Sequence, residues 1–186
     1  MNQSGFVIED QLLLASFRQP ESRELAFTQL IRKYQERLYW HIRRLVIVHE
    51  DADDVLQNVF IKVWKGLESF REEANLYTWL YKIATHEALS WLEKQKRRQT
   101  ISIENDESPM VAALEAQKGF DGNKIEWKLQ RAIQALPEKQ RLVFTLRYYD
   151  EMPYEKMSEV LGTSTGALKA SYHHAVKKVE DFILRD

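Results

Sequence analysis

Cysteine is absent from the 186-residue sequence. Its absence excludes disulfide bonds, thiol nucleophiles, thiolate zinc sites and iron–sulfur clusters, and it fits a reducing compartment. No apolar run approaches the roughly 18 residues that a membrane-spanning helix needs. The N-terminal MNQSGFVIEDQ lacks the basic-then-apolar order of a signal peptide. We therefore expect a cytoplasmic protein without membrane insertion.

Glycine and proline are scarce, with six and four residues respectively. Leu, Glu, Lys and Ala are abundant instead, and 44% of the residues are hydrophobic, which is enough for a core. Such a composition is typical of helical proteins. It predicts the all-α fold class.

Catalytic and metal-binding motifs are also missing. No Gly-rich phosphate loop and no Gly-x-Ser-x-Gly turn occurs. His173 and His174 are adjacent, so on a helix they diverge by about 100° and cannot both bind one metal ion. The cluster of Asp51, Asp53 and Asp54 lacks the later Gly and Glu of an EF-hand. We expect no enzymatic activity, no metal and no cofactor.

Charge is unevenly distributed along the chain, although the formal net charge is only −1. Residues 94–98 are basic, whereas 104–126 hold six acids against two lysines. Residues 99–122 contain Ser, Asn, Asp, Pro and Gly, which predicts an acidic, flexible linker over this range. The chain would then comprise one domain at 1–98 and a second at 123–186.

Helical periodicity runs through both predicted domains. Apolar residues recur at steps of three and four, which predicts helices over 8–17, 22–48, 51–67 and 76–97 in the first domain. In the second, helices are predicted from 123 to 136, from 138 to 149 and from 153 to a C-cap at Gly162, followed by a last helix to Leu184. The arginines of the 22–48 helix form either a solvated face or a binding surface.

Aromatic residues are dense in the first domain and allow two interpretations. They either pack in the core, Trp64 and Trp91 especially, or leave a surface that stacks on unpaired bases, at roughly 1–3 kcal/mol per stacked base. The residues concerned are Trp64, Phe70, Tyr77, Trp79, Tyr81 and Trp91.

A helix–turn–helix is predicted over 153–184. Gly162 suits a left-handed C-cap of the first helix, and Ser164 suits the N-cap of the second. Ala167, Leu168 and Ala175 are expected to face inward. The exposed side would then carry Lys, Ser and His side chains that can donate hydrogen bonds to phosphates and base edges. A helical hairpin that serves only packing would show the same turn.

Two stretches resemble regions of bacterial RNA polymerase sigma factors. DADDVLQNVFIKVWKGLESF followed by YTWLYKIATHEAL is similar to region 2, and LPEKQRLVFTLRYYDEMPYEKMSEVLGTSTGALKASYHHAVKKV is similar to region 4. Two such regions joined by a short linker resemble the extracytoplasmic-function (ECF) group of the sigma-70 family. The resemblance, which covers 25–98 and 124–182, implies a protein that binds core RNA polymerase, directs it to promoters and helps to open the duplex.

The resemblance also implies three sets of contact residues. A core-binding set would dock on the clamp helices of the β′ subunit: Asp51, Asp54, Val55, Gln57, Asn58, Phe60 and Trp64. A −10 set would hold a flipped base and the phosphates of the opened strand: Phe70, Arg71, Glu72, Glu73, Asn75, Lys82, His86, Lys94, Arg97 and Arg98. A −35 set would enter the major groove: Ser164, Thr165, Lys169, Ser171, His174 and Lys177.

Further partners follow from the same resemblance. The β flap of the polymerase and an anti-sigma factor are both implied, as is promoter DNA. Position 86 is commonly Asn in the family, so His86 leaves the preferred −10 base undetermined. Positions 171 and 174 are often Arg, so Ser171 and His174 imply weaker phosphate binding at the −35 element.

Two other functions are compatible with the residues. One is a stand-alone helix–turn–helix regulator whose first domain senses a ligand or dimerises; it would bind duplex operator DNA by itself. The other is a helical adaptor that uses the second domain for protein contacts alone. A sigma factor differs from both because it requires core polymerase for promoter-specific transcription.

Overall fold

The computed structural model describes residues 3–71, 75–100 and 125–185. These residues form helices and no strand, which confirms the all-α class. The helices are, in chain order, α1 (Gln3–Phe17), α2 (Arg23–Val46), α3 (His49–Leu67), α4 (Leu76–Thr100), α5 (Ile125–Gln134), α6 (Glu138–Tyr148), α7 (Tyr154–Leu161) and α8 (Thr165–Arg185). Residues 99 and 100 belong to α4, and the remainder of the predicted linker lies outside the described residues.

Helix α2 is the centre of an N-terminal bundle formed by α1–α4, since the other three helices all pack against it. Its buried residues recur at three- and four-residue steps, among them Leu30, Tyr34, Leu38 and Ile42, each no more than 1% exposed. Full burial of one such aliphatic side chain contributes about 1.5–3 kcal/mol. The stripe that the sequence predicted therefore holds this bundle together.

Helix α1 is attached to α2 by a buried polar contact. The Tyr34 hydroxyl donates to Asp10 Oδ2 at 2.7 Å, and Lys33 Nζ donates to Asp10 Oδ1 at 2.8 Å. Burial and the bond to Asp10 raise the pKa of Tyr34, so the phenol stays protonated and remains a donor. Because both carboxylate oxygens have donors, this acid is buried without leaving an unpaired charge.

A tight γ-turn joins α2 to α3. Ile47 has φ 71° and ψ −44°, and the Val48 N–H donates to the Val46 carbonyl at 2.9 Å. A positive φ is unfavourable for a β-branched residue, so burial must hold it in place; Ile47 is 3% exposed. The turn lets α3 begin at His49, two residues earlier than the sequence predicted.

The C-terminal bundle comprises α5–α8, with α8 packed against the other three. Its central contacts include Ile133, Leu136, Phe144 and Val179, all buried. Pro137 is the N-cap of α6, with φ −52° and ψ 142°, and therefore precedes the first helical residue. The first helical residue is therefore Glu138, as the sequence predicted, and the helix ends at Tyr148, one residue before the predicted end.

The two bundles pack against each other, an arrangement that the sequence left open. Helix α4 packs on α7, and α2 packs on α6. One hydrophobic cluster continues across the contact, with Ala88 and Leu92 on the N-terminal side and Leu142, Leu146 and Met157 on the other. The described part of the chain contains no helix long and apolar enough to span a membrane.

Two glycines of the helix–turn–helix should respond oppositely to substitution by alanine. Gly162 has φ +62°, which disfavours any Cβ, whereas Gly166 is helical with open space around it. We expect Gly162→Ala to lower the free energy of unfolding by about 1 kcal/mol. Gly166→Ala should raise it by about 0.5 kcal/mol, because alanine has less chain entropy to lose. Urea unfolding followed by circular dichroism measures both; shifts of the same sign would contradict the assigned turn.

Candidate nucleic-acid and protein interfaces

The helix–turn–helix has the caps that the sequence predicted. Gly162 is left-handed, and its N–H donates to the Ser158 carbonyl at 2.9 Å. The Ser164 hydroxyl accepts the Ala167 N–H at 3.3 Å, as expected of an N-cap. Leu168 faces the core at 1% exposure. Ala167, however, is exposed, so the expectation that it faces inward was wrong.

The −35 set extends from the N-terminal end of α8, at Ser164 and Thr165, along the helix to Lys177. Four of its members are exposed: Ser164, Lys169, His174 and Lys177. Thr165 and Ser171 are half-buried. The face presented to solvent is therefore polar and basic, with no acidic side chain among the set.

One member of this set has a defined neighbour that sequence reasoning missed. The Tyr154 ring makes cation–π contacts with two side chains, with Arg147 Cζ at 5.2 Å and Lys169 Nζ at 5.7 Å from its centroid. Tyr154 also meets Tyr172 edge-on at 6.5 Å. Arg147 is further held by a bond to the Met152 carbonyl at 3.3 Å. The ring thus links α6, α7 and the exposed face of α8.

All basic members of the −10 set except Arg71 form a stripe on α4. At about 100° per residue, Lys82, His86, Lys94, Arg97 and Arg98 fall within about 160° of the helix circumference and span about 24 Å along its axis. All five are exposed. We call these five residues the α4 stripe. Such a stripe can follow a polyphosphate backbone without reading its sequence.

The loop before α4 differs from the expectation of an exposed stacking surface. Phe70 is 7% exposed and packs on Trp79, with ring centroids 4.9 Å apart. Its ring is therefore not available to stack on a base in this structure. Asn75 is the cap of α4: its Oδ1 accepts the Tyr77 N–H at 2.9 Å. Arg71 is exposed, and Glu72 and Glu73 lie outside the described residues.

An apolar groove runs between α2 and α3. Its lining residues are Phe27, Ile31, Gln57, Phe60, Ile61 and Trp64. Ile61 is 47% and Trp64 37% exposed, which is high for large apolar side chains. The Trp64 ring is fixed edge-on against Phe17 and Phe27, at 5.3 and 4.9 Å. A fixed, exposed apolar surface of this kind is typical of a protein interface.

The core-binding set divides into exposed and buried members around this groove. Asp54, Gln57, Asn58 and Trp64 are exposed and Asp51 is half-buried. Two members are buried: Val55 at 2%, which faces the core, and Phe60 at 9%, which forms the groove floor. The expectation that Trp64 is mainly a core residue was wrong. Sequence reasoning missed Phe27, Ile31 and Ile61; the last was detectable because it lies four residues after Gln57 on the same face.

The acidic start of α3 borders the groove-bearing face. Burial, and then the neighbouring charges of Asp54 and Glu50, raise the pKa of the Asp51 carboxyl. The carboxylates therefore repel one another, and a cationic partner would relieve that repulsion. The surface as a whole suits a partner helix with both apolar and basic side chains.

The histidines of α8 do not form a metal site. The rings of His173 and His174 are 5.9 Å apart and tilted by 59°. Over residues 3–71, 75–100 and 125–185, no group of three histidine or acidic side chains is placed to bind a metal ion.

Comparison with protein families gives two matches. The model for sigma-70 region 2 matches residues 30–98, and the model for sigma-70 region 4 matches residues 126–179. The ECF RNA polymerase sigma-E factor of Escherichia coli is 30% identical over 184 residues, covering 94% of each chain. The RNA polymerase sigma-H factor of Pseudomonas aeruginosa is 29% identical over 180 residues, covering 92% of each.

Two solved structures resemble the fold. One is CnrH in complex with the cytosolic domain of CnrY, with a TM-score of 0.70 and 20% identity over 96% of this chain and 99% of that one. The other is the sigma factor RpoE in complex with the anti-sigma factor NepR from Bartonella quintana. Its TM-score is 0.68, with 21% identity over 86% of this chain and 98% of that one.

Proposed function

This chain belongs to the ECF group of RNA polymerase sigma factors, and we propose that its three exposed surfaces divide the work of promoter recognition. Sigma factors are transcription initiation factors that direct core RNA polymerase to promoters and help to open the duplex. The observation that best supports the division is that each family match coincides with one bundle, and each bundle exposes a basic helix face. The chain itself would perform no catalysis and would act in the cytoplasm, where the polymerase is.

The groove between α2 and α3 is proposed to bind the clamp helices of the β′ subunit. Trp64 and Ile61 would be the anchors, because large apolar side chains in a preformed site contribute most to affinity. Asp51 and Asp54 at the start of α3 would pair with basic residues of that partner. The buried Val55 would only shape the surface.

The α4 stripe is proposed to hold the opened −10 strand. Its length of about 24 Å corresponds to roughly seven phosphates at about 3.4 Å of rise per nucleotide. His86 is the second residue of the stripe from its N-terminal end and is the candidate for a base contact. Phe70 supports Trp79 from within the core, so any flipped base would be bound by the exposed part of the loop, which includes Arg71.

The exposed face of α8 is proposed to enter the −35 major groove. Lys169, held beside Tyr154, would contact a phosphate or a base edge. Arg147, which also contacts this ring, adds a cation that the sequence analysis did not assign. This addition offsets in part the missing arginines at positions 171 and 174.

Domain limits and regulation are part of the proposal. We place the region 2 domain at 1–98, the linker at 99–122 and the region 4 domain at 123–186, as the matched residues 30–98 and 126–179 support. The RpoE structure similar in fold contains an anti-sigma factor. We infer that an anti-sigma factor also binds this chain and that the apolar groove is one of its sites. The β flap is the expected polymerase contact of the region 4 domain.

Run-off transcription with purified bacterial core polymerase and a genomic promoter library tests the function. We expect transcripts that appear only when the protein is added, and their shared upstream sequence defines the two promoter elements. Absence of transcripts together with failure to co-elute with core polymerase would refute the proposal. Binding of the protein alone to duplex operator DNA, as a symmetric dimer, would favour the stand-alone regulator.

Substitution of the groove anchors should weaken binding to core polymerase. We expect Trp64→Ala to raise Kd about 30-fold and Ile61→Ala about tenfold, typical of buried interface anchors. Leu25→Ala is the matched control, because Leu25 is 63% exposed on α2 and is not part of the groove lining. Fluorescence anisotropy with labelled protein measures all three; equal effects for Leu25→Ala and Ile61→Ala would contradict the assignment.

Tyr154 should affect −35 recognition through its ring. Tyr154→Leu removes both cation–π contacts, worth about 0.5–1 kcal/mol each at exposed sites, so we expect a two- to fivefold loss of −35-dependent transcription. Tyr154→Phe should retain most of the activity. Tyr148→Leu serves as the control, since Tyr148 is exposed and stacks on Phe144 instead. An equal loss on templates with a scrambled −35 element would show that the effect is only structural.

A further inference from the structure

The contact between the two bundles is centred on the carboxylate of Asp150, in the turn between α6 and α7. Asp150 Oδ2 lies 3.0 Å from Nδ1 of His41, and Oδ1 accepts a bond from Arg44 Nη1 at 3.2 Å. His41 Nε2 lies 2.9 Å from the Thr85 hydroxyl, which joins α4 to the same network. One side chain of the C-terminal bundle therefore contacts α2 directly and α4 through His41.

This network is buried to different degrees along its length. The side chain of Asp150 is 5% exposed and that of His41 is fully buried, whereas Arg44 keeps 25% exposure. A carboxylate removed from water is stable only while charged or polar donors surround it. Asp150 finds these donors on the other bundle, so its burial depends on the two bundles staying together.

The chain around Asp150 holds the carboxylate in position. Glu151 has φ 50°, a left-handed conformation that is uncommon for a residue other than glycine. The Met152 N–H then bonds to the Leu146 carbonyl at 3.0 Å, and Met152 is 1% exposed. Tyr149 on the other side places its ring 4.4 Å from Arg44 Cζ. The turn is therefore fixed on both sides of the carboxylate.

The closed arrangement conflicts with binding both promoter elements. Positions −10 and −35 are about 25 base pairs apart, which is about 85 Å of B-form DNA at about 3.4 Å per pair. A compact chain of this length has a radius of gyration of about 16 Å and hence a diameter of about 40 Å. Since α4 packs on α7, which precedes α8 in the helix–turn–helix, the α4 stripe and the −35 set cannot be that far apart.

We propose that Asp150 is a latch that holds the two bundles in a closed, autoinhibited form, and that it releases His41 and Arg44 when the protein engages polymerase and promoter. The consequence for transcription rests on the proposed function, whereas the latch itself is a property of the free chain. On release, the Asp150 carboxylate regains water, while Arg44 is already partly hydrated. Both forms are therefore accessible, and loss of one charged contact shifts the balance between them.

A second ion pair across the interface serves as an internal comparison. Lys96 Nζ donates to Glu138 Oε2 at 2.6 Å, but their side chains are 62% and 36% exposed. Exposed pairs of this kind contribute little because water screens them. The latch predicts that removal of Asp150 opens the chain and that removal of Glu138 does not, although both acids bridge the same two bundles.

Spin labels in the free, full-length protein test this directly. The chain has no cysteine, so Gln35→Cys on α2 and Lys178→Cys on α8, both exposed positions, give two unique labelling sites. Pulsed electron–electron double resonance should give one short, narrow distribution of the distance between the two labels in the otherwise native chain. Asp150→Ala should add a longer-distance population, with the open-to-closed ratio raised about tenfold or more, as expected for loss of charge-assisted hydrogen bonds.

Three further variants sharpen the result. Arg44→Gln should open the chain as well. The effect of the double variant should be smaller than the sum of the two single effects, because both changes disrupt one network. Glu138→Gln should leave the distribution unchanged. Circular dichroism must show native helix content and cooperative unfolding for Asp150→Ala. If that variant is unfolded, Arg44→Gln, which keeps the carboxylate, provides the test.

Two outcomes overturn the latch: an open distribution in the otherwise native chain, or a closed distribution that neither Asp150→Ala nor Arg44→Gln changes. Transcription separates this failure from failure of the proposed function. Suppose that the native chain supports no promoter-specific transcript but that Asp150→Ala still separates the two bundles. The proposed function is then refuted, whereas the latch is supported. If both are sound, Asp150→Ala should bind core polymerase more tightly, because a larger fraction is already competent to bind.

Discussion

The buried face of α2 is the constraint on which the whole molecule depends. Its apolar stripe packs against α1, α3 and α4, and its C-terminal half also meets α6. Leu30 and Tyr34 stabilise the part of the bundle that forms the apolar groove. His41 and Arg44, about two and three turns after Tyr34, reach the C-terminal bundle. A change in the register of this one helix would alter the groove and the interdomain contact together.

Each candidate interface uses the solvent side of a helix whose other side is buried. Helix α4 shows this most clearly, because Leu80 and Ala84 are fully buried while Lys82 and His86 between and beside them are exposed. A cationic side chain on such a helix stays hydrated and can extend towards a ligand, and the rigid backbone sets the spacing of the charges. Packing and recognition are thereby separated on opposite faces, so substitutions on the exposed face can change binding with little effect on the core.

Several site residues illustrate how far sequence patterns extend. Gly162 and Ser164 were predicted correctly because a helix cap depends on its own few residues. The exposure of Phe70 and of Trp64 was predicted wrongly. Both are large aromatic residues near a loop or a helix end, where periodicity does not indicate which side is buried. One is buried against Trp79 and the other is exposed beside Phe27. Their exposure depends on partners far away in the sequence, which hydrophobicity alone does not identify.

The sequence by itself determined the all-helical class, the helix order, the caps of the helix–turn–helix and the family, because these follow from local periodicity, turn chemistry and motif order. The tertiary structure decided which apolar side chains remain exposed in the groove and that the Tyr154 ring contacts two cations. It also decided that Asp150 meets His41, although the two are 109 positions apart in the sequence. Such contacts form only when helices distant in sequence pack together, and no local pattern specifies which faces will meet.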